Sequence, residues 1–181
     1  MKTKINKLIL LVNLGSPQRL EVTAIRAFLR EFLSDQRVVG LPRWLWYPIL
    51  YGIILPIRAK KLLHKYAQIW HSSGVSPLVF YTQRQVELLT KYAKSDDIVD
   101  YAFCYGNNSL TDKLSELEQK YTFSKLIIIP LYPQYSSSTT ASVFDQISNF
   151  YRKRYYIPHI EYINSFATNE LYIKALAKSV H

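Results

Sequence analysis

Three short apolar runs constrain this chain more than any other feature: KLILLVNL at 7–14, IVDYAFCY at 98–105 and KLIIIPL at 125–131. The first ends in Gly15-Ser16-Pro17 and the third in a polar loop. That is the pattern of strands buried in a parallel sheet rather than of amphipathic strands. A fourth run, YIPHIEYI at 156–163, reads as a strand weakened by Pro158.

Helical patterns separate these runs. Val22, Ile25, Phe28, Leu29 and Phe32 form one stripe over 21–33, which Ser34 and Asp35 break. Residues 58–70 read as a basic helix, and SSGVSP at 72–77 as a loop. Residues 77–94 suit a helix with Pro77 near its start. Residues 109–121 suit another, with Ser109 as its cap and Leu114 and Leu117 facing inward. The loop at 132–140 feeds a helix to about residue 153, and a last helix covers 169–180. Alternating strands and helices predict an α/β fold: a four-stranded parallel sheet flanked by helices on both faces. Right-handed crossovers place the loops after the strands at one edge, where ligands bind such sheets. Those loops are 13–17, 105–108 and 132–139.

A chain of 181 residues, 49% hydrophobic and 20% charged, suits one globular domain. Its single cysteine, Cys104, excludes an internal disulfide framework and a cysteine-based zinc site, and suits a reducing compartment. The start, MKTKINKLILLV, has the basic and apolar parts of a signal peptide, but no small-residue cleavage site comes after it. It reads as a basic lead into the first strand. No run approaches the ~20 apolar residues of a spanning helix. A cytoplasmic protein is the expectation.

The net charge of +10 is unevenly placed. Residues 1–65 carry twelve Lys and Arg against three Asp and Glu. Such a face suits nucleic acid, anionic lipid or an acidic small ligand, or is simply solvated. Residues 41–57, LPRWLWYPILYGIILPI, hold one charge, three prolines and two tryptophans. They read either as a buried helix pair or as an exposed apolar flap for a membrane surface or a large apolar ligand.

Several chemistries find no support. NLGSP has one glycine where a dinucleotide fingerprint needs three, and no P-loop occurs. His64, His71, His159 and His181 have no metal-ligand spacing, and no nucleophile elbow is present. The loop YPQYSSSTTAS is dense in hydroxyls between tyrosines: the hydroxyls suit carboxylates or phosphates and the rings a flat ligand, or the loop is ordinary helix capping. Aromatic residues sit in the apolar segment rather than among Lys and Arg, so nucleic acid is not an expected partner.

LLVNLGSP, FLSDQRVV, WLWYPILYGIILPIR, SGVSPL, Tyr105-Gly106 and PLYPQYSSSTTASVFD together resemble the ferrochelatase family, bacterial type, in order and spacing. The resemblance runs from Lys7 to Val180. It implies a Rossmann-like, chelatase-type lobe over 1–165, with an apolar lip at 41–57, and over 166–181 the start of a helix leading to a second lobe. The implied activity is insertion of ferrous iron into a porphyrin in haem biosynthesis. The match stops before the family's S-x-H-G-[LI]-P motif and its later glutamate, so the expectation is a truncated or half enzyme, inactive alone. The alternative is a non-catalytic porphyrin-binding half-site. No catalytic residue and no metal ligand is assigned, and His181 is not in that motif.

The resemblance also implies porphyrin contacts. Leu14 stands where other members place Tyr or Met beside the macrocycle. Ser76 matches the Ser of SPL, and Tyr105 the Tyr of R-Y-G, whose Arg is here Cys104. Tyr132, Tyr135 and Ser136 match the YPQYS loop. Ser137 stands where animal members carry a cysteine ligand, so no iron–sulfur cluster and no other cofactor is implied. The implied partners are porphyrin, a separate carboxyl-terminal lobe, and the inner-membrane surface through the lip. The residue chemistry fits: a flat apolar plate with two propionates needs apolar walls and a cationic or hydroxylic rim.

Overall fold

A computed structural model describes residues 2–180. His181 lies outside the described residues. Four parallel strands, β2 (Lys7–Asn13), β3 (Ile98–Phe103), β5 (Lys125–Pro130) and β6 (His159–Tyr162), form the sheet in the order β3-β2-β5-β6. The register sets Leu8 beside Ile98 and Leu126, and Ile127 beside Glu161. The expected sheet is therefore present. Its last strand starts after Pro158, which has no N–H to give to a ladder. A second, two-stranded parallel sheet pairs β1 (Thr3–Lys4) with β4 (Tyr121–Thr122).

Leu8, Leu10 and Val12 of β2 and Leu126 and Ile128 of β5 form one face of the sheet. Two helices cover it: α5 (Leu110–Lys120) through Leu110, Leu114 and Leu117, and α6 (Ser142–Tyr151) through Val143, Ile147 and Phe150. Ser109 caps α5 by accepting from the Asp112 N–H. On the other face α4 (Pro77–Thr90) packs over β2 and β3. Strand β5 alternates: Leu126 and Ile128 are buried, while Ile127 and Ile129 stay partly exposed. Its second face is thus less covered than a doubly buried strand would be.

The helix α1 (Val22–Ser34) buries Ile25, Phe28, Leu29 and Leu33, the expected stripe. It packs against α3 (Leu55–Ile69), making a second core with Leu50, Leu55 and Ala59. Residues 43–69 form one helical run: α2 (Arg43–Ile49), a π-turn at Leu50–Ile54, then α3. Pro48 removes a donor just before the π-turn, where the ladder widens. The apolar segment satisfies parts of both expectations. Leu50 is fully buried and the Trp46 indole N–H donates to the Leu33 carbonyl at 2.7 Å, while Trp44 is 79% exposed and Ile53 and Ile57 about half so. No helix among the described residues is long and apolar enough to cross a membrane. The last helix, α7 (Glu170–Val180), buries none of its residues.

The loops after β2 and β3 interlock. Cys104 N–H donates to the Asn13 carbonyl and Tyr105 N–H to that of Leu14, extending the ladder past the strands. Gly15, at φ +99°, lies so close that a Cβ would sit 2.0 Å from the Tyr105 carbonyl oxygen. Gly15→Ala combines a left-handed backbone with that clash and should destabilise by at least ~2 kcal/mol in denaturant titrations. Gly52, whose Cβ would meet nothing within 4 Å, serves as control: Gly52→Ala should be neutral or stabilise by up to ~1 kcal/mol. Equal effects at both positions would contradict the interlock.

Candidate functional site

The carboxyl ends of the strands carry the candidate site. Asn13 ends β2 and anchors the loop beyond the strand: its Oδ1 accepts from Leu14 N–H at 2.8 Å, and its Nδ2 donates to Thr82 Oγ1 on α4 at 3.2 Å. Further along, Ser76 Oγ donates to Ser16 Oγ at 2.7 Å and accepts from Val79 N–H, capping α4. Both serines are buried. The β2 loop is thereby locked to β3 on one side and to α4 on the other.

Between this loop, α1 and α3 lies a cavity of about 470 Å³. Leu14, Phe32, Leu62 and Ile69 wall it; Ser76 lies at the α4 side, and Arg58 is its one cation among the described residues. Tyr66 adds a phenol whose pKa is raised by burial, with Arg58 acting in the opposite direction. Arg58, Leu62, Tyr66 and Ile69 stand four, four and three residues apart and so share one face of α3. Sequence reasoning read this helix only as basic. The stripe was its available signal.

Of the expected contacts, the structure brings Leu14 and Ser76 to this cavity. Tyr105 sits behind the wall rather than on it, 5% exposed, with its ring edge-on to Phe32 at 5.4 Å. Its hydroxyl donates to Asp35 Oδ2 at 2.5 Å, a partner that holds it inward. Tyr132 also packs on the main core, its hydroxyl buried beside the Cys104 thiol. Tyr135 is 57% exposed and borders a separate hollow of about 270 Å³ with Arg37 and Thr140. Ser136 precedes a π-turn at Ser137–Ala141 that leads into α6; its hydroxyl lies 3.1 Å from that of Ser138. Arg37 makes a two-pronged pair with Asp145, at 2.7 and 3.0 Å, tying the loop after α1 to α6.

Cys104 is 7% exposed, and burial pushes its thiol up to about 12. Burial in this way disfavours the thiolate, the form that attacks or ligates. Among the described residues no group of three or more His, Cys, Asp or Glu could hold a metal ion. His71 stacks on Phe80 at 3.8 Å, and its Nδ1 accepts from Ser73 N–H.

The ferrochelatase family model matches residues 6–181. The chain belongs to the ferrochelatase family. It is 44% identical over 176 residues to the ferrochelatase of Aromatoleum aromaticum, covering 95% of this chain and 48% of that relative. It is 45% identical to that of Photobacterium profundum and 46% to that of Mannheimia succiniciproducens, covering 95% of this chain in each case and 52% and 54% of the relatives. The chain thus spans about half the length of the curated relatives it matches. The four-stranded parallel sheet with its flanking helices is the family's Rossmann-like chelatase fold.

Four buried or half-buried tyrosines give a pH dependence. Burial holds Tyr105, Tyr132, Tyr151 and Tyr162 above the ordinary phenol value of about 10. For Tyr105 the bond to Asp35 adds to this. The folded state therefore keeps these protons more tightly than the unfolded state. Their contribution to stability is complete below about pH 10 and is lost as pH rises through the folded values. Unfolding by circular dichroism should begin above about pH 10, with phenolate absorbance rising cooperatively alongside it. Titration of all 15 tyrosines near the ordinary value, with the fold intact, would contradict the burial.

Proposed function

We propose that the chain forms the porphyrin-binding lobe of a ferrochelatase, one wall of a cleft where ferrous iron enters a porphyrin in haem synthesis. The observation that carries this is the cavity between α1 and α3: apolar and aromatic walls, one cation and a hydroxyl at the strand ends. A porphyrin presents matching chemistry, a flat apolar plate with carboxylate arms. Leu14, Phe32, Leu62 and Ile69 would exclude water from the ring. Arg58 would pair with a propionate, and Ser76 would hydrogen-bond at the rim. Tyr105 would support Phe32 from behind. Tyr132 would do so deeper in the core, while Tyr135 and Ser136 would meet the ring only at the edge of the complete cleft. This reading assigns no cluster ligand to residues 1–165, whose one cysteine, Cys104, is buried.

Metal insertion removes two pyrrole protons, which needs a base, usually His or Glu, near its working pKa. Among the described residues, none that lines the cavity is Asp, Glu or His. That observation favours a division of labour in which residues 1–165 bind and a second lobe supplies the base, with α7 as the connection. It equally supports a second reading, a non-catalytic half-site. In the first reading the exposed apolar residues of α7, Leu171, Ile173, Leu176 and Val180, would be covered by that second lobe. The exposed Trp44, Ile53 and Ile57 of the lip, beside the cations of α3, would rest at the inner-membrane surface of a cytoplasmic protein.

Porphyrin titration with absorbance and tyrosine quenching tests the binding. Affinity should be micromolar or weaker for half a cleft. Arg58→Ala should weaken it roughly tenfold. Esterified propionates should abolish the difference between Arg58→Ala and wild type. Equal binding of the free acid by both would place the ligand elsewhere. The chain alone should lose at least ~10²-fold of insertion activity for want of a base. Recovery on adding a second lobe of a relative separates the enzyme from the half-site.

A further inference from the structure

The pole opposite the cavity, at the amino-terminal ends of the strands, carries a surface that the porphyrin reading does not use. The turn after α6 reads Arg152-Lys153-Arg154-Tyr155-Tyr156-Ile157, and all six residues are exposed. Tyr155 reaches the full exposure of an extended chain, and Tyr156 and Ile157 are more than half exposed. An apolar run standing in water within a ring of cations has the composition of an interaction surface. Beside it lies a cleft of about 210 Å³, walled by Tyr121, Phe123, Tyr155, Tyr156 and Pro158.

Two features define what fits. The first is charge. Lys2, Lys4, Arg152 and Lys153 make no ion pair among the described residues. The acid of the cleft, Glu118, is already committed to Arg154 at 3.2 Å, whose guanidinium is also fixed 4.4 Å above the Phe150 ring. The pole therefore presents exposed cations around an aromatic hollow whose own acid is already paired. The second is backbone. Tyr121 and Thr122 of the cleft belong to β4, and among the described residues β4 and β1 pair as strands with each other alone. The free edges of such a pair accept an extended polypeptide. Neither a lipid surface nor a nucleic acid can pair with a strand edge.

We propose that this pole docks an extended acidic polypeptide segment of a partner protein, with one apolar side chain seated between Tyr121, Phe123 and Tyr156. Tyrosine and arginine anchors of this kind concentrate binding energy. The site lies at the opposite ends of the strands from the porphyrin cavity, so both can be occupied together.

Fluorescence anisotropy with a labelled peptide of alternating Glu around a central Trp tests this on the whole chain. It should bind at least tenfold more tightly than its Lys counterpart, and more weakly as salt is raised. Arg152→Glu with Lys153→Glu, and separately Tyr155→Ser with Tyr156→Ser, should each weaken it about tenfold. All these residues are exposed, so thermal melts and porphyrin titration should match wild type. Equal binding of the acidic and basic peptides, or variants that bind like wild type, would overturn the proposal. Pole-dependent binding of an oligothymidylate or of phosphatidylglycerol vesicles, without the acidic peptide, would overturn it in favour of those ligands.

Discussion

The interlock of the two strand-end loops is the constraint on which the rest of the site depends. Strands β2 and β3 keep their ladder for two residues beyond the sheet, through Cys104 to Asn13 and Tyr105 to Leu14. Only glycine allows so close an approach, because at Gly15 any Cβ would enter the Tyr105 carbonyl. Gly106, also at positive φ, makes the reciprocal approach to Ser16. This crossing sets the height of Leu14 at the cavity floor. It also turns Tyr105 inward toward Asp35, so the end of α1 is fixed by a hydrogen bond between residues 70 apart in sequence. Glu31 adds a second tie by accepting from Gly106 N–H.

From that anchor the cavity is built by helix packing rather than by loops. Helices α1 and α3 lie together over the β2 loop, and each gives one stripe to their shared core and a neighbouring stripe to the cavity. A rigid wall of this kind can hold a flat ligand without first ordering itself, which limits the entropy lost on binding. The π-turn at Leu50–Ile54 lets the same helical run bury Leu50 and Leu55 while presenting Trp44 and Ile53 outward. One continuous segment thus serves as wall, core and exposed lip.

Much of this was legible in the sequence. The strands β2, β3 and β5 were visible because parallel strands in a sheet read as apolar runs, and α1 because its stripe is regular. The strands β1 and β4 were not, since two residues carry no period. The prolines at 42, 48 and 56 suggested interruptions, yet the run stays helical through Pro48 and Pro56, with the π-turn at Leu50–Ile54 between them. Leu14 and Ser76 reach the cavity through loops that the strand ends position. Tyr105 and Tyr132 carried the same aromatic signal, but their burial depends on partners far away in sequence, such as Asp35. Arg58, Leu62 and Tyr66 were hidden because a helix with alternating Lys and Leu looks like an ordinary solvated surface.

The central claim is that a porphyrin lies flat in the cavity between α1 and α3 at the ends of the strands. Methyl NMR spectra with and without porphyrin test it most directly, because a macrocycle's ring current shifts nearby methyl groups strongly. Large upfield shifts at Leu14, Leu62 and Ile69, with Leu171 and Val180 of α7 unmoved, are the expected result. Shifts confined to α7 or to the exposed lip, with the cavity methyls unchanged, would contradict it.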